Sequence, residues 1–202
     1  MNIIVRPYGS DLCYCRPDTT WERENADFFS PAFVDTLYYS PVVIAKISKS
    51  GKYIRGKFAE RYFESVNFGM LMYTEEPVAD KLAVSSCVDH TSILPFPLYN
   101  RIVLDNEGND FELYRNGKLI YSFRAMDAGS RKGIMTSLIE DSICKVSERV
   151  SLRIGDFVAT ELAVPAPLTS RQENSSFEDK DAKTYIQATF CGNELFDFNI
   201  IF

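Results

Sequence analysis

The sequence predicts a β-rich α+β domain, and three features point there. Short runs rich in Val, Ile, Tyr and Phe recur along the chain, bounded by Gly, Pro, Asn and Asp. Only two stretches carry a helical period. Between two alternating runs sits Asn116-Gly117, the pair best suited to a type I′ hairpin turn, where both central residues need positive φ. At 202 residues and 46% hydrophobic content the chain can bury one sizeable core, and no linker or internal repeat divides it. Residues 1–202 are therefore expected to form a single domain.

In chain order, residues 1–5 read as a strand, followed by a turn at Pro7-Tyr8-Gly9-Ser10. Residues 42–47 form a strand apolar on both faces, hence buried. A Lys49-Ser50-Gly51 turn follows, with Gly51 allowing the sharp bend. Phe58, Tyr62, Phe63 and Val66 recur on one face of an expected amphipathic helix, which leads into a second buried strand over 67–73. Pro95 and Pro97 suggest extended segments with an edge or bulge between 91 and 104, and residues 105–110 a connecting turn. The Asn-Gly hairpin joins 111–115 to 118–121. Ser137 and Glu140 resemble a capping box opening a helix over 137–148, with Leu138, Ile143 and Val146 as its buried stripe. A strand covers 152–159, a polar loop 171–181, and a final hairpin joins 185–190 to 195–202 around Gly192-Asn193.

The net charge of -6, with no Lys/Arg cluster, argues against a nucleic-acid partner. No apolar run reaches the length of a membrane span, and residues 1–7 lack a signal-peptide stretch, so a cytoplasmic protein is expected. Five cysteines fit a reducing compartment. Cys13 and Cys15 share a face of an extended segment, yet no second Cys or His pair completes a zinc set, so small buried side chains are the reading. Cys87, Asp89 and His90 lie close in sequence but lack a further ligand at metal spacing, and adjacent loop residues rarely align as a Cys-His dyad. Residues 21–25 (Trp-Glu-Arg-Glu-Asn) read as a solvated turn rather than an acid/base pair.

One family resemblance emerges from motifs in shared order. The run from Ile44 to Ile54 (IAKISKSGKYI), Phe58 to Gly69 (FAERYFESVNFG), Arg16-Pro17-Asp18-Thr19, Phe28-Phe29-x-Pro31, Leu152-x-x-Gly155-Asp156 and Leu195-x-Asp197-Phe198 resemble segments of the small single-domain fumarylacetoacetate hydrolase family. The resemblance implies a mixed β-roll with two short helices and a homodimer. It also implies a divalent cation held by a Glu-x-Glu pair and an Asp, positions that fall here on Ser40, Val42 and Leu71. The family's site lysine falls on Ser86 with the following acid kept as Asp89, and its Gly-rich loop begins at Thr160 but loses the glycines. Its water-activating lid has no counterpart between Tyr8 and Arg16, which hold no His or Glu.

Magnesium needs oxygen ligands, normally with carboxylates among them, and Val42 and Leu71 offer no lone pair. The pocket candidates are thus Ser40, Val42, Leu71, Ser86, Asp89 and Thr160, with no catalytic or metal ligand among them and no cofactor expected. Three functions follow: a non-catalytic relative binding a small molecule or partner; a Mg- or Mn-dependent hydrolase or lyase on a β-diketo acid, needing Asp35, Asp89 or Glu161 to rebuild the site; or a structural subunit of an active paralogue.

Overall fold

The computed structural model describes residues 1–75, 84–124, 133–174 and 183–202. In chain order its strands are β1 (Ile3–Arg6), β2 (Tyr14–Arg16), β3 (Trp21–Glu22), β4 (Phe28–Phe29), β5 (Thr36–Ile47), β6 (Phe63–Thr74), β7 (Ser92–Ile93), β8 (Tyr99–Asn100), β9 (Phe111–Arg115), β10 (Lys118–Phe123), β11 (Phe157–Glu161), β12 (Ala166–Ser170), β13 (Thr184–Phe190) and β14 (Asn193–Ile201). α-Helices among the described residues include α1 (Gly56–Ala59) and α2 (Ile134–Arg149). The larger sheet runs β2-β1-β11-β5-β6-β7-β3, with β12 also on β5 and β8 also on β6. The smaller one runs β10-β9-β13-β14-β4. Parallel pairs (β1 with β11, β3 with β7, β4 with β14) among antiparallel ones make both sheets mixed. This is the β-rich α+β architecture the sequence predicts.

The long β5–β6 ladder is the spine of the molecule, and its central residues are buried on both sides, as the doubly apolar runs require. One face meets the smaller sheet and α2 in a core that includes Val43, Val66, Phe68, Phe111, Ile143 and Phe196. Phe68 stacks on Phe111 at 4.7 Å between ring centroids, joining the two sheets. The opposite face carries a second cluster with Ile3, Val5, Val42, Ile44, Leu71 and Phe157. Gly69 is needed where β6 approaches β7, because a Cβ there would lie 2.5 Å from the Ile93 carbonyl oxygen.

Several sequence expectations need correction. The helix expected through Val66 ends early: α1 and a 3-10 turn (Glu60–Tyr62) stop before Phe63, and Phe63 and Val66 belong to β6. Phe63 pairs with Ile47 and Ser65 with Lys46, so Glu64 is the extra residue of a bulge. That insertion turns a strand's spacing of two into three and imitates a helical stripe. Gly51 does not serve a left-handed bend; a Cβ there would strike the Tyr62 ring at 2.5 Å. The helix α2 begins three residues before Ser137, and its first amides are met by Asp105, whose carboxylate accepts from Met135 N at 3.0 Å and Thr136 N at 3.3 Å. Its buried stripe holds Ile143 and Val146 as expected but begins with Met135 and Ile139, while Leu138 is half-buried.

The Asn116-Gly117 hairpin forms as predicted, with φ of 48° and 74°. The last hairpin turns one residue earlier than expected, at Cys191-Gly192 with φ of 53° and 73°, because Asn193 already pairs with Phe190. The expected 152–159 strand starts at Phe157; Gly155, at φ 91°, precedes it, and Leu152 forms a lone bridge to Gly51. The solvated turn expected over 21–25 is confined to the exposed Arg23, Glu24 and Asn25, since Trp21 and Glu22 form β3 and Glu22 is buried. Cys15 is exposed rather than buried, and Cys13 half-buried. Of the 171–181 loop, residues 175–181 lie outside the described ones. Among the described residues, no helix is long and apolar enough to cross a membrane.

Candidate functional site

Alternation along β5 puts Tyr38, Ser40 and Val42 on one face, and the ladder sets Tyr73 opposite Tyr38 and Leu71 opposite Ser40. On the other side of β5, Glu161 stands across from Val42. Three of the sequence candidates, Ser40, Val42 and Leu71, therefore do converge. Val42 and Leu71 are fully buried in the apolar cluster, and the Ser40 hydroxyl donates to the Ala163 carbonyl at 2.8 Å. The face is packed rather than open.

The remaining candidates lie elsewhere. Thr160 is one residue from Glu161 on β11, so its side chain leaves from the opposite face of the sheet. Its hydroxyl is buried without a hydrogen-bond partner among the described residues. Ser86 is buried, and its carbonyl receives the Arg16 Nε at 3.4 Å. Asp89 is exposed and lines a different cleft, and Asp35 pairs at the surface with Arg171 at 3.7 Å.

Beside the converged face lies a cleft of about 320 Å³ lined by Tyr8, Tyr14, Tyr38, Tyr73, Val164 and Glu161 among others. Its floor is a polar chain. The Tyr14 and Tyr73 hydroxyls meet at 2.5 Å, Tyr73 donates to Glu161 Oε1, and the Tyr8 amide donates to Glu161 Oε2 at 3.0 Å. Burial raises the Glu161 pKa, and the bonds from Tyr73 and Tyr8 and the Arg16 charge only partly oppose it. Burial likewise pushes the Tyr14 and Tyr73 phenols above their ordinary value.

Arg16 closes the chain from behind. It is 1% exposed and its guanidinium carbon sits 5.2 Å from the Tyr73 ring centroid. Its donors reach the carbonyls of Met72 (2.8 Å), Ser85 (3.3 Å), Ser86 (3.4 Å) and Thr91 (3.2 Å), and the Thr91 hydroxyl at 2.9 Å. One buried fork thus ties β2 to β6 and to the segment between 85 and 91. Burial lowers its pKa, opposed by the neighbouring Tyr14, Tyr73 and Glu161. In the sequence Arg16 stands out only within the Arg16-Pro17-Asp18-Thr19 motif, and Tyr14 and Tyr73 belong to no candidate set. Parity was the available signal, since Tyr14 and Arg16 are two apart on one strand.

A second, larger cleft of about 630 Å³ is lined by Phe28, Phe29, Phe33, Cys87, Asp89 and His90, among others. There His90 Nδ1 lies 2.9 Å from Oε2 of the buried Glu22. Burial pushes the Glu22 pKa up, but the Glu24 amide, His90 and the Ala26 amide outweigh it and leave the carboxyl below its usual range. Glu22 is the acidic partner of His90 that sequence spacing did not reveal.

No family model matches this sequence, and no curated protein is significantly similar to it. Solved structures are similar in shape. A fumarylacetoacetate hydrolase family protein from Yersinia pestis CO92 superposes with a TM-score of 0.71 at 13% identity, covering 99% of this chain and 92% of the other. Maleylpyruvate hydrolase from Sphingobium sp. SYK-6 gives 0.72 at 14%, covering 99% and 70%. Fumarylpyruvate hydrolase from Pseudomonas aeruginosa, in complex with Mn2+ and pyruvate, gives 0.67 at 13%, covering 99% and 96%.

A divalent cation does not fit the positions where the sequence resemblance would put its ligands. Val42 and Leu71 supply no donor, the Ser40 hydroxyl is committed to a carbonyl, and Glu161 is a single carboxyl already bonded on both oxygens. Among the described residues, no three His, Cys, Asp or Glu side chains gather as a metal site. The chain nonetheless carries, over nearly its whole length, the fold of the fumarylacetoacetate hydrolase family.

Proposed function

We propose that this protein is a non-catalytic binding protein built on the fumarylacetoacetate hydrolase fold. The observation that carries the reading is the packing of Val42 and Leu71, both at 0% exposure, on the face where the family resemblance puts cation ligands. Apolar side chains fill that position, whereas carboxylates kept there without a metal would repel one another and lose hydration. The adjoining tyrosine-lined cleft supplies the place for a small molecule.

Titration with Mn2+ followed by calorimetry tests the reading. The expected result is no stoichiometric uptake. Tight binding of one ion per chain, together with hydrolysis of a β-diketo acid that a chelator abolishes, would replace this function with a metal-dependent hydrolase or lyase. The homodimer belongs to the same reading; light scattering on the pure protein that returns the mass of one chain overturns it, and co-purification with an active paralogue would favour a structural subunit.

A further inference from the structure

The chain from Glu161 through Tyr73 to Tyr14 can run in two directions, and a single proton chooses between them. With Glu161 ionised, the carboxylate accepts from Tyr73, Tyr73 accepts from Tyr14, and Tyr14 offers the cleft only a lone pair. With Glu161 protonated, the carboxyl donates to Tyr73, Tyr73 donates to Tyr14, and the Tyr14 O–H is released toward the cleft. Either phenol can be the donor at their 2.5 Å contact, so both states use the same atoms in the same places. Burial raises the Glu161 pKa and thereby favours the second direction.

The cleft also limits the charge of what it takes. Its described lining includes no Lys or Arg side chain. Arg16 is sealed behind Tyr73, with its donors turned to carbonyls and Thr91 rather than to the opening. Among the described lining residues an anion would find no charged hydrogen-bond donor. A cation would meet the field of the buried guanidinium. Tyr8, Tyr14, Tyr38 and Tyr73, with Pro7 and Pro165, present rings and flat apolar edges around a volume of about 320 Å³. Among the described residues, the titratable or charged groups around the chain are Tyr14 and Arg16 from β2, Tyr38 from β5 with Glu75 at 3.3 Å, Tyr73 from β6, Glu161 from β11, Tyr8, and Cys87 beside Arg16.

We propose that this cleft binds a flat, uncharged molecule bearing one acceptor oxygen, such as an aromatic ketone, which receives a hydrogen bond from Tyr14 while Glu161 is protonated at the far end of the chain. The inference rests on the binding function proposed above. It adds the ligand class and a linked proton. The proton moves from solvent to Glu161 on binding, and no covalent bond changes in the ligand.

Calorimetry with 1-indanone, indane and 1-indanecarboxylate on the full chain tests it. One 1-indanone per chain is expected, bound about tenfold more tightly than indane, as one hydrogen bond supplies. Its affinity should fall as pH rises through the folded pKa of Glu161, with proton uptake seen in buffers of different ionisation enthalpy. Tyr14→Phe should reduce 1-indanone to the affinity of indane. Glu161→Gln should bind it at every pH, because the amide N–H donates to Tyr73 in one fixed direction. Preference for the carboxylate, pH-independent binding by the unaltered chain, or a Tyr14→Phe variant with undiminished affinity overturns the proposal. If indane and 1-indanone bind equally, the relay is wrong and the binding cleft stands. If none of the three binds, the ligand class is wrong, and stoichiometric Mn2+ uptake by the same sample would bring down the binding function as well.

Discussion

Glu161 stands directly across the ladder from Val42, a carboxyl facing a fully buried apolar side chain. The pairing marks a boundary on one face of the sheet. On one side, Val42, Ile44 and Leu71 pack in an apolar cluster; on the other, Glu161, Tyr73 and Tyr14 form a hydrogen-bonded chain at the floor of a cleft. The chemistry of the face changes within two residues of β5, and that boundary separates the packed cluster from the cleft.

Leu71→Asp should expose the cost of returning a single carboxylate to the apolar side. Buried without a partner, it is expected to lose at least about 3 kcal/mol of stability, read from urea denaturation. Mn2+ should not restore it. The combination of Ser40→Glu, Val42→Glu and Leu71→Asp should instead gain stability as Mn2+ is added, since a ligand bound only by the folded state raises the unfolding midpoint with its concentration.

Arg16→Met removes the donor shared by the Met72, Ser85, Ser86 and Thr91 carbonyls. Losing these charge-assisted bonds outweighs the desolvation cost that removal of a buried charge relieves, and a loss of about 2–4 kcal/mol is expected by chemical denaturation. Arg16→Lys should recover little of it, because a compact ammonium does not span a fork's set of acceptors.

The pH dependence of stability carries the signature of Glu161. Its folded pKa lies above the ordinary 4.5, so its contribution is complete below that pH and is lost as pH rises through the folded value. Glu161→Gln does not titrate. The stability of the unaltered chain minus that of the variant, followed by thermal unfolding at each pH, should therefore shrink as pH rises from the ordinary carboxylate value through the folded one. A difference that grows over this range would reverse the sign of the shift.

Asp105→Ala tests the long-range cap of α2. Loss of the carboxylate at the Met135 and Thr136 amides is expected to cost about 1 kcal/mol, a drop of roughly 2–4 °C in Tm. Ser137→Ala, at the apparent capping box, should change stability by under about 0.5 kcal/mol.

Much of the fold was legible because its signals are local. Asn116-Gly117 specifies a hairpin by its own φ preferences, and the doubly apolar runs around β5 and β6 can only be strands buried on both faces. The misreadings share one cause, a local pattern overruled from a distance. The bulge at Glu64 exists only against Lys46 and Ile47, and the cap of α2 comes from Asp105, about thirty residues earlier. At the candidate site, register along β5 and β6 puts Ser40, Val42 and Leu71 near one another, while Thr160 lies on the far face and Asp89 in another cleft.

The residue types alone determined that Val42 and Leu71 cannot ligate a cation, because a methyl group has no lone pair in any conformation. Only the tertiary structure decided what stands in their place. Tyr14, Arg16, Tyr73 and Glu161 come from three strands separated by most of the chain, and nothing local links them. Their contact is set by strand order and register, which depend on the apolar burial of every strand at once.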